Sequence, residues 1–174
     1  QFYGDVAEAI PDNMPRPLGK PVDIRMWVDS DHAGKKRTRR SRTGFFIYIN
    51  MACINWVSKR QSTIKTSVFG AEFVAMKHGI EKLRGLQYKL RMMGVPLEGP
   101  ANLVDNNSVV KSATIPTSTL QKKHVAICYH FVCKAVAANY IRIAFIPSEE
   151  NLADMFTKPL GAQKLKTFCQ RILY

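Results

Sequence analysis

Ile24-Arg25-Met26-Trp27-Val28-Asp29-Ser30-Asp31 (IRMWVDSD, 24–31) is the stretch on which the fold turns. Ile24, Met26 and Val28 alternate with Arg25 and Trp27, a period of two that predicts a strand running into Asp29 and stopping in the polar run Asp29-Ser30-Asp31-His32-Ala33-Gly34. Downstream lies a basic connection, Lys35 to Arg42, and then two aromatic and β-branched runs, GFFIYIN (44–50) and CINWVS (53–58). They are close enough in sequence to form a hairpin. Upstream, residues 1–22 carry Pro11, Pro15, Pro17 and Pro21, which remove backbone donors and fix φ. We read 1–22 as a linker or wrapping arm and 23–174 as one folded domain.

From Ser67 the period lengthens. Phe69, Phe73, Met76, Ile80, Leu83, Leu90 and Met93 form one apolar stripe along a long helix, ended by Gly94-Val95-Pro96. Asn102-Leu103-Val104 leads to Asp105, and Asn106, Asn107 and Ser108 supply cap-type residues for a brief helix to about Ala113. Thr114 to Lys123 reads as a loop, Val125 to Ala138 as a helix and Tyr140 to Ile146 as a strand broken by Pro147. Two closing helices are expected at Asn151 to Phe156 and Ala162 to Leu173. The order predicts an α/β layer of five strands with an antiparallel start.

The chain has 174 residues, 46% apolar and 22% charged, which suits one globular core. No apolar run reaches the roughly 18 to 20 residues of a membrane span. We therefore expect a soluble, unsecreted protein with no membrane partner. The first residue is Gln1, so a piece of a longer polypeptide is expected. Cys53, Cys128, Cys133 and Cys169 form no C-x-x-C pair and are read as reduced thiols. Lys plus Arg number 26 against 13 Asp plus Glu, a net charge of +13 that makes a polyanion, nucleic acid first, the leading partner.

So few acids can be weighed singly. Asp29 ends the first strand and Asp105 the fourth, and ligands gather at the carboxyl ends of strands in open α/β sheets. Glu72 lies early in the long helix, and Asp154 starts the helix after the fifth strand. Four acids from distant segments can thus meet at one sheet edge, where mutual repulsion calls for protonation or divalent cations. Hard oxygen donors suit Mg²⁺ or Mn²⁺, and two such ions about 3.5 to 4 Å apart can hold the attacking and leaving oxygens of a phosphodiester. Each acid also has a plainer reading: a helix-dipole partner for Glu72 or Asp105, a turn residue for Asp29, an i, i+4 partner of Lys158 for Asp154. Those readings leave their shared placement without a reason.

The motifs MWVDSDHAG (26–34), RRSRTGF (39–45), TSVFGAEFVAMK (66–77), LVDNNSVV (103–110), ICYHFV (127–132) and ENLADMFTKPL (150–160) make the chain recognisable. Over residues 20–174 it resembles the ribonuclease H domain that follows reverse transcriptase in the polyproteins of copia-type long-terminal-repeat retrotransposons. The resemblance implies a ribonuclease H-like fold, a five-stranded mixed sheet with its first three strands antiparallel and helices on both faces. It implies a metal-dependent endonuclease that hydrolyses the RNA strand of an RNA·DNA hybrid, with two Mg²⁺ ions, or Mn²⁺, held by Asp29, Glu72, Asp105 and Asp154. It places residues 1–20 as the connection from an upstream reverse transcriptase and the protein in the cytoplasm within retrotransposon particles. Asn107 matches a family position that contacts the hybrid in its minor groove, where the 2′-OH is displayed. The match departs at Pro147-Ser148-Glu149-Glu150, where many ribonucleases H carry a histidine. It departs again at Ala126 and Cys128, where many copia-type elements have Asp and Arg. A catalytically inactive module that binds nucleic acid or supports the polymerase is the alternative.

Other signals are weaker. Lys35, Lys36, Arg37, Arg39, Arg40 and Arg42 read as phosphate contacts to the hybrid, with a nuclear-import address, pairing of Arg39 or Arg42 with acids near the site, and a plain exposed loop as alternatives. His124, Cys128, His130 and Cys133 cannot close a four-ligand site from one helix, so structural zinc is not expected. Trp27 and Trp56 are expected to pack into the core or under helices. An integrase or transposase core wants a glutamate on a helix well beyond Asp105; only Glu149 and Glu150, just after a strand and proline, are on offer.

Overall fold

Strand β1 (Ile24–Asp31) lies at the centre of the sheet in a computed structural model that describes residues 10–32, 37–64, 67–105 and 126–173. It ends at Asp31, inside the polar run where its stop was expected, because Ser30 and Asp31 still pair with Thr43 and Arg42 of β2 (Arg42–Ile49). Strand β2 turns at Asn50-Met51, with Asn50 at φ 53°, into the antiparallel β3 (Ala52–Arg60), as the hairpin reading required. Asparagine tolerates that left-handed conformation better than most residues. On the other side of β1, the parallel strands β4 (Ala101–Asp105) and β5 (Ile141–Phe145) complete the order β3-β2-β1-β4-β5.

Helix α1 (Val68–Met92) starts where the sequence predicts, with Ser67 accepting a hydrogen bond from the Gly70 N–H at 3.1 Å. At its far end Gly94, at φ +72°, lets Val95 N–H reach Leu90 O (2.9 Å) and Gly94 N–H reach Arg91 O (2.9 Å). These bonds satisfy carbonyls that the helix leaves open. Its buried stripe, Phe73, Met76, Ile80 and Leu83, packs with α2 (Ala126–Ala137) over Met26, Val28, Phe45 and Ile47. The arm docks alongside: Leu18 N–H donates to Gly94 O (2.8 Å) and Val22 N–H to Pro96 O (3.0 Å).

The opposite face carries a smaller core of Phe46, Tyr48, Leu152 and Phe168, covered by α3 (Asp154–Thr157) and α4 (Ala162–Leu173). Helix α3 begins three residues later than expected, because Asn151 donates to Val28 O (2.9 Å) and accepts from Ala153 N–H (3.1 Å), holding 151–153 as a turn. Trp27 packs on this core, but Trp56 does not meet the expectation of burial: it is 62% exposed. Strand β3 is the sheet edge; α3 meets it at Ser58, whose hydroxyl donates to Phe156 O (2.7 Å), while Trp56 stays open. The brief helix expected at 106–113 and the loop at 114–123 lie outside the described residues. No described helix is long and apolar enough to cross a membrane.

Candidate active site

The alternation of β1 sends Met26 and Val28 to the α1 core and Asp29 towards α3. Asp29 pairs across the ladder with Gly44, and a Cβ on Gly44 would come within 2.7 Å of Thr157 Cγ2, 2.9 Å of Phe156 Cβ and 3.0 Å of Ala153 O. Glycine is therefore the residue that lets α3 lie against β2 and deliver its side chains to Asp29. Asn151, tied to Val28 O, fixes the approach of that segment. On the other side Gln61, buried, donates to Thr43 Oγ1 (3.1 Å) and Ala71 O (2.9 Å), anchoring the first turns of α1 and with them Glu72.

These anchors bring Asp29, Glu72 and Asp154 to one cleft of about 250 Å³, all three buried, with Ser30, Asp31 and Lys158 also in its lining. Asp105, also buried, sits at the end of β4 but does not line that cleft; its carbonyl accepts from Ile146 N–H (3.0 Å), and Ile146 does line it. The sequence thus brings three of its four acids to one cavity and leaves the fourth beside it. Arg40 and Arg42 line a neighbouring cleft, and Arg37 and Arg39 are exposed. Neither Arg39 nor Arg42 forms an ion pair among the described residues; Arg42 Nη1 instead donates to Ser58 Oγ (3.0 Å). Lys35, Lys36 and Asn107 lie outside the described residues.

The acids do not stand alone. Lys158 Nζ is 2.8 Å from Asp154 Oδ1 and 3.2 Å from the Asp29 carboxylate, Lys164 Nζ is 3.0 Å from Asp154 Oδ2, and Thr157 Oγ1 donates to Asp29 Oδ2. Burial pushes the Asp29 carboxyl above its ordinary range; the Thr157 hydrogen bond and the Lys158 charge oppose the shift, and the Asp154 charge adds to it. Burial by itself would lower the Lys158 pKa, but the Asp154 hydrogen bond and the Asp29 charge outweigh it and hold the ammonium above its usual value. The i, i+4 spacing made the Asp154–Lys158 pair legible in advance; Lys164, ten residues from Asp154, left no such signal.

Among the described residues no group of three His, Cys, Asp or Glu side chains is drawn together as a metal site. The donor chemistry nonetheless fits a hard divalent cation: buried carboxylates face one cleft, and an ammonium stands in as the cation between two of them. Ser30 Oγ, buried and without a partner among the described residues, belongs to the same lining.

The sheet order, with helices on both faces and this edge cleft, is the ribonuclease H fold. The N-terminal RNase H domain of rv2228c from Mycobacterium tuberculosis matches with a TM-score of 0.60 at 12% identity, covering 86% of this chain and 97% of that one. LC11-RNase H1, solved in complex with an RNA/DNA hybrid, matches at 0.59 and 16% identity, covering 78% and 94%. No family model matches. The chain's homologues are copia-type retrovirus-related Pol polyproteins. That from transposon RE1 of Arabidopsis thaliana is 27% identical over 155 residues, 88% of this chain. The chain spans only 11% of that polyprotein's length.

Proposed function

We propose that the chain is a metal-dependent endonuclease of the ribonuclease H type, hydrolysing the RNA strand of RNA·DNA hybrids during retrotransposon reverse transcription. The observation that carries this reading is the convergence of Asp29, Glu72 and Asp154, from a strand and two helices, on one cleft of a ribonuclease H fold. The hybrid seen with LC11-RNase H1 supports the substrate class, and the Pol relatives support a reverse transcriptase as the upstream partner; retrotransposon particles in the cytoplasm are the setting proposed with it.

Asp29, Glu72, Asp105 and Asp154 would hold Mg²⁺ or Mn²⁺. Bound there, the cations would supply an acidified water and neutralise charge developing on the phosphodiester. The protein's share is placement. Gly44 and Asn151 set α3 against β1, Thr157 orients the Asp29 carboxylate, and the surrounding core keeps the acids from drifting. Lys158 neutralises Asp29 and Asp154 until the cleft is loaded. Binding should depend on salt and little on sequence, because phosphate and sugar contacts dominate.

The test is incubation of labelled RNA·DNA hybrid, duplex RNA and duplex DNA with the protein, with and without Mg²⁺. Cleavage confined to the RNA of the hybrid, and only with metal, is expected; no cleavage under any condition ends the proposal. The same Lys158 contacts favour a second reading, a non-catalytic hybrid-binding module whose acids keep lysine as their permanent counter-ion. Hybrid binding without cleavage would select it.

A further inference from the structure

Beside the acid cleft lies a second one of about 450 Å³, and the two share Asp31 and Lys158 in their linings. Arg40, Arg42 and Arg60 line it together with Ser58. Four cations thus face one space that holds a single carboxylate, Asp31. Arg42 and Arg60 are directly opposite on the β2–β3 ladder, a placement in which like charges repel. Among the described residues none of the three arginines has a carboxylate partner.

The cleft is nonetheless built. Arg42 Nη1 donates to Ser58 Oγ at 3.0 Å, and Ser58 Oγ donates onward to Phe156 O at 2.7 Å. This chain fastens the guanidinium to the segment that carries Asp154 and Lys158. Arg42 also stands opposite Asp31 on the β1–β2 ladder but forms no ion pair with it among the described residues, so the cleft's guanidiniums outnumber its one carboxylate, and guanidinium geometry matches a phosphodiester's paired oxygens.

We infer that the Arg40–Arg42–Arg60 cleft is a phosphate subsite for a nucleic-acid strand that continues past the acid cleft. A strand with one phosphodiester at Asp29 and Asp154 would pass the shared wall at Asp31 and Lys158 on its way to the arginines. Arg60 and Ser58 thereby become binding residues, although they lie outside the basic run of residues 35–42. The inference deepens the hybrid-nuclease reading and rests on it for the identity of the strand, but phosphate capture needs no cleavage.

The test is therefore binding of a fluorescent RNA·DNA hybrid in EDTA, followed by anisotropy across a salt series. Removal of one phosphate contact lowers the slope of log affinity against log salt by about 0.9. Arg42→Ala and Arg60→Ala should each lose about one unit of slope, with roughly tenfold weaker binding together. Lys89→Ala, an exposed charge near the far end of α1, should change neither appreciably. A second measurement needs no variant. Hybrids with a single uncharged methylphosphonate, walked along each strand, should show one position whose loss weakens binding to the wild-type protein but not to Arg42→Ala/Arg60→Ala. Arginine variants no different from Lys89→Ala, or no position with that signature, would overturn the subsite even if the hybrid is cleaved. The expected losses in a protein that never cleaves would keep the subsite and remove only the nuclease.

Discussion

On the α1 face of the sheet, Met26, Val28, Phe45, Ile47, Phe73, Met76, Ile80 and Leu83 meet in an apolar layer with Val132 and Leu103, most of them with no measurable exposure. On the α3 face, a core of four buried residues borders Asp29, Asp154, Lys158 and Lys164, and close approach depends on Gly44. One face is a scaffold whose loss unfolds the protein. The other is a platform whose shape is set by a glycine and a few polar contacts, so perturbing it should alter the site before the fold.

The largest contrast should come from Phe73→Ala. Phe73 is fully buried against Phe69 and Tyr129, and truncation of such a residue costs about 3–5 kcal/mol. Urea unfolding should show that loss, and a cost under about 1 kcal/mol would break the scaffold half of the comparison. Next comes Gly44→Val, which forces Thr157, Phe156 and Ala153 away from β2. Overpacking of this kind costs about 1–3 kcal/mol. Hybrid cleavage should fall far more than the stability loss explains, and cleavage that survives intact would show that α3 is not held by this contact.

The scaffold half was legible because it is periodic. The stripe from Phe69 to Leu90 and the alternation of Ile24, Met26 and Val28 are one-dimensional patterns with one economical packing, whereas Met93, expected on the same stripe, falls at the helix C-cap and is 73% exposed. The platform was legible only in its charged residues. Asp29, Glu72 and Asp154 betray themselves by position, but the contact between Gly44 and Thr157, the span from Asn151 to Val28 and the reach of Lys164 to Asp154 exist only once distant segments have met. Trp56 misled for the same reason: alternation assigns a face, and only the tertiary arrangement says whether a helix covers it.

Lys158→Met should produce a smaller effect. It leaves two buried carboxylates with less compensation, but the Lys158 side chain is 41% exposed, so the metal-free protein should lose roughly 1–2 kcal/mol and not the full cost of a buried pair. Urea melts in EDTA measure it, and Mg²⁺ should restore more stability to the variant than to the wild type. Equal metal effects on both proteins would deny that lysine and metal compete for the same acids.

The smallest effect concerns pH. Burial holds Asp29 above the ordinary value of 3.8, so the folded chain binds that proton more tightly than the unfolded chain. Its contribution to stability therefore grows as pH falls through the interval between the folded value and 3.8, and fades as pH rises through the folded value. Relative to Asp29→Asn, metal-free wild type should gain stability as pH falls through the folded value towards 3.8. The opposite trend would mean that Thr157 and Lys158 outweigh desolvation.

The most direct test of the whole account is cleavage of a labelled RNA·DNA hybrid in Mg²⁺ by Asp154→Asn, with its urea midpoint measured in parallel. We expect the variant to stay folded and to leave the RNA strand intact while the wild type cuts it. Wild-type rates in a folded Asp154→Asn protein would contradict the assignment of this cleft as the nuclease centre.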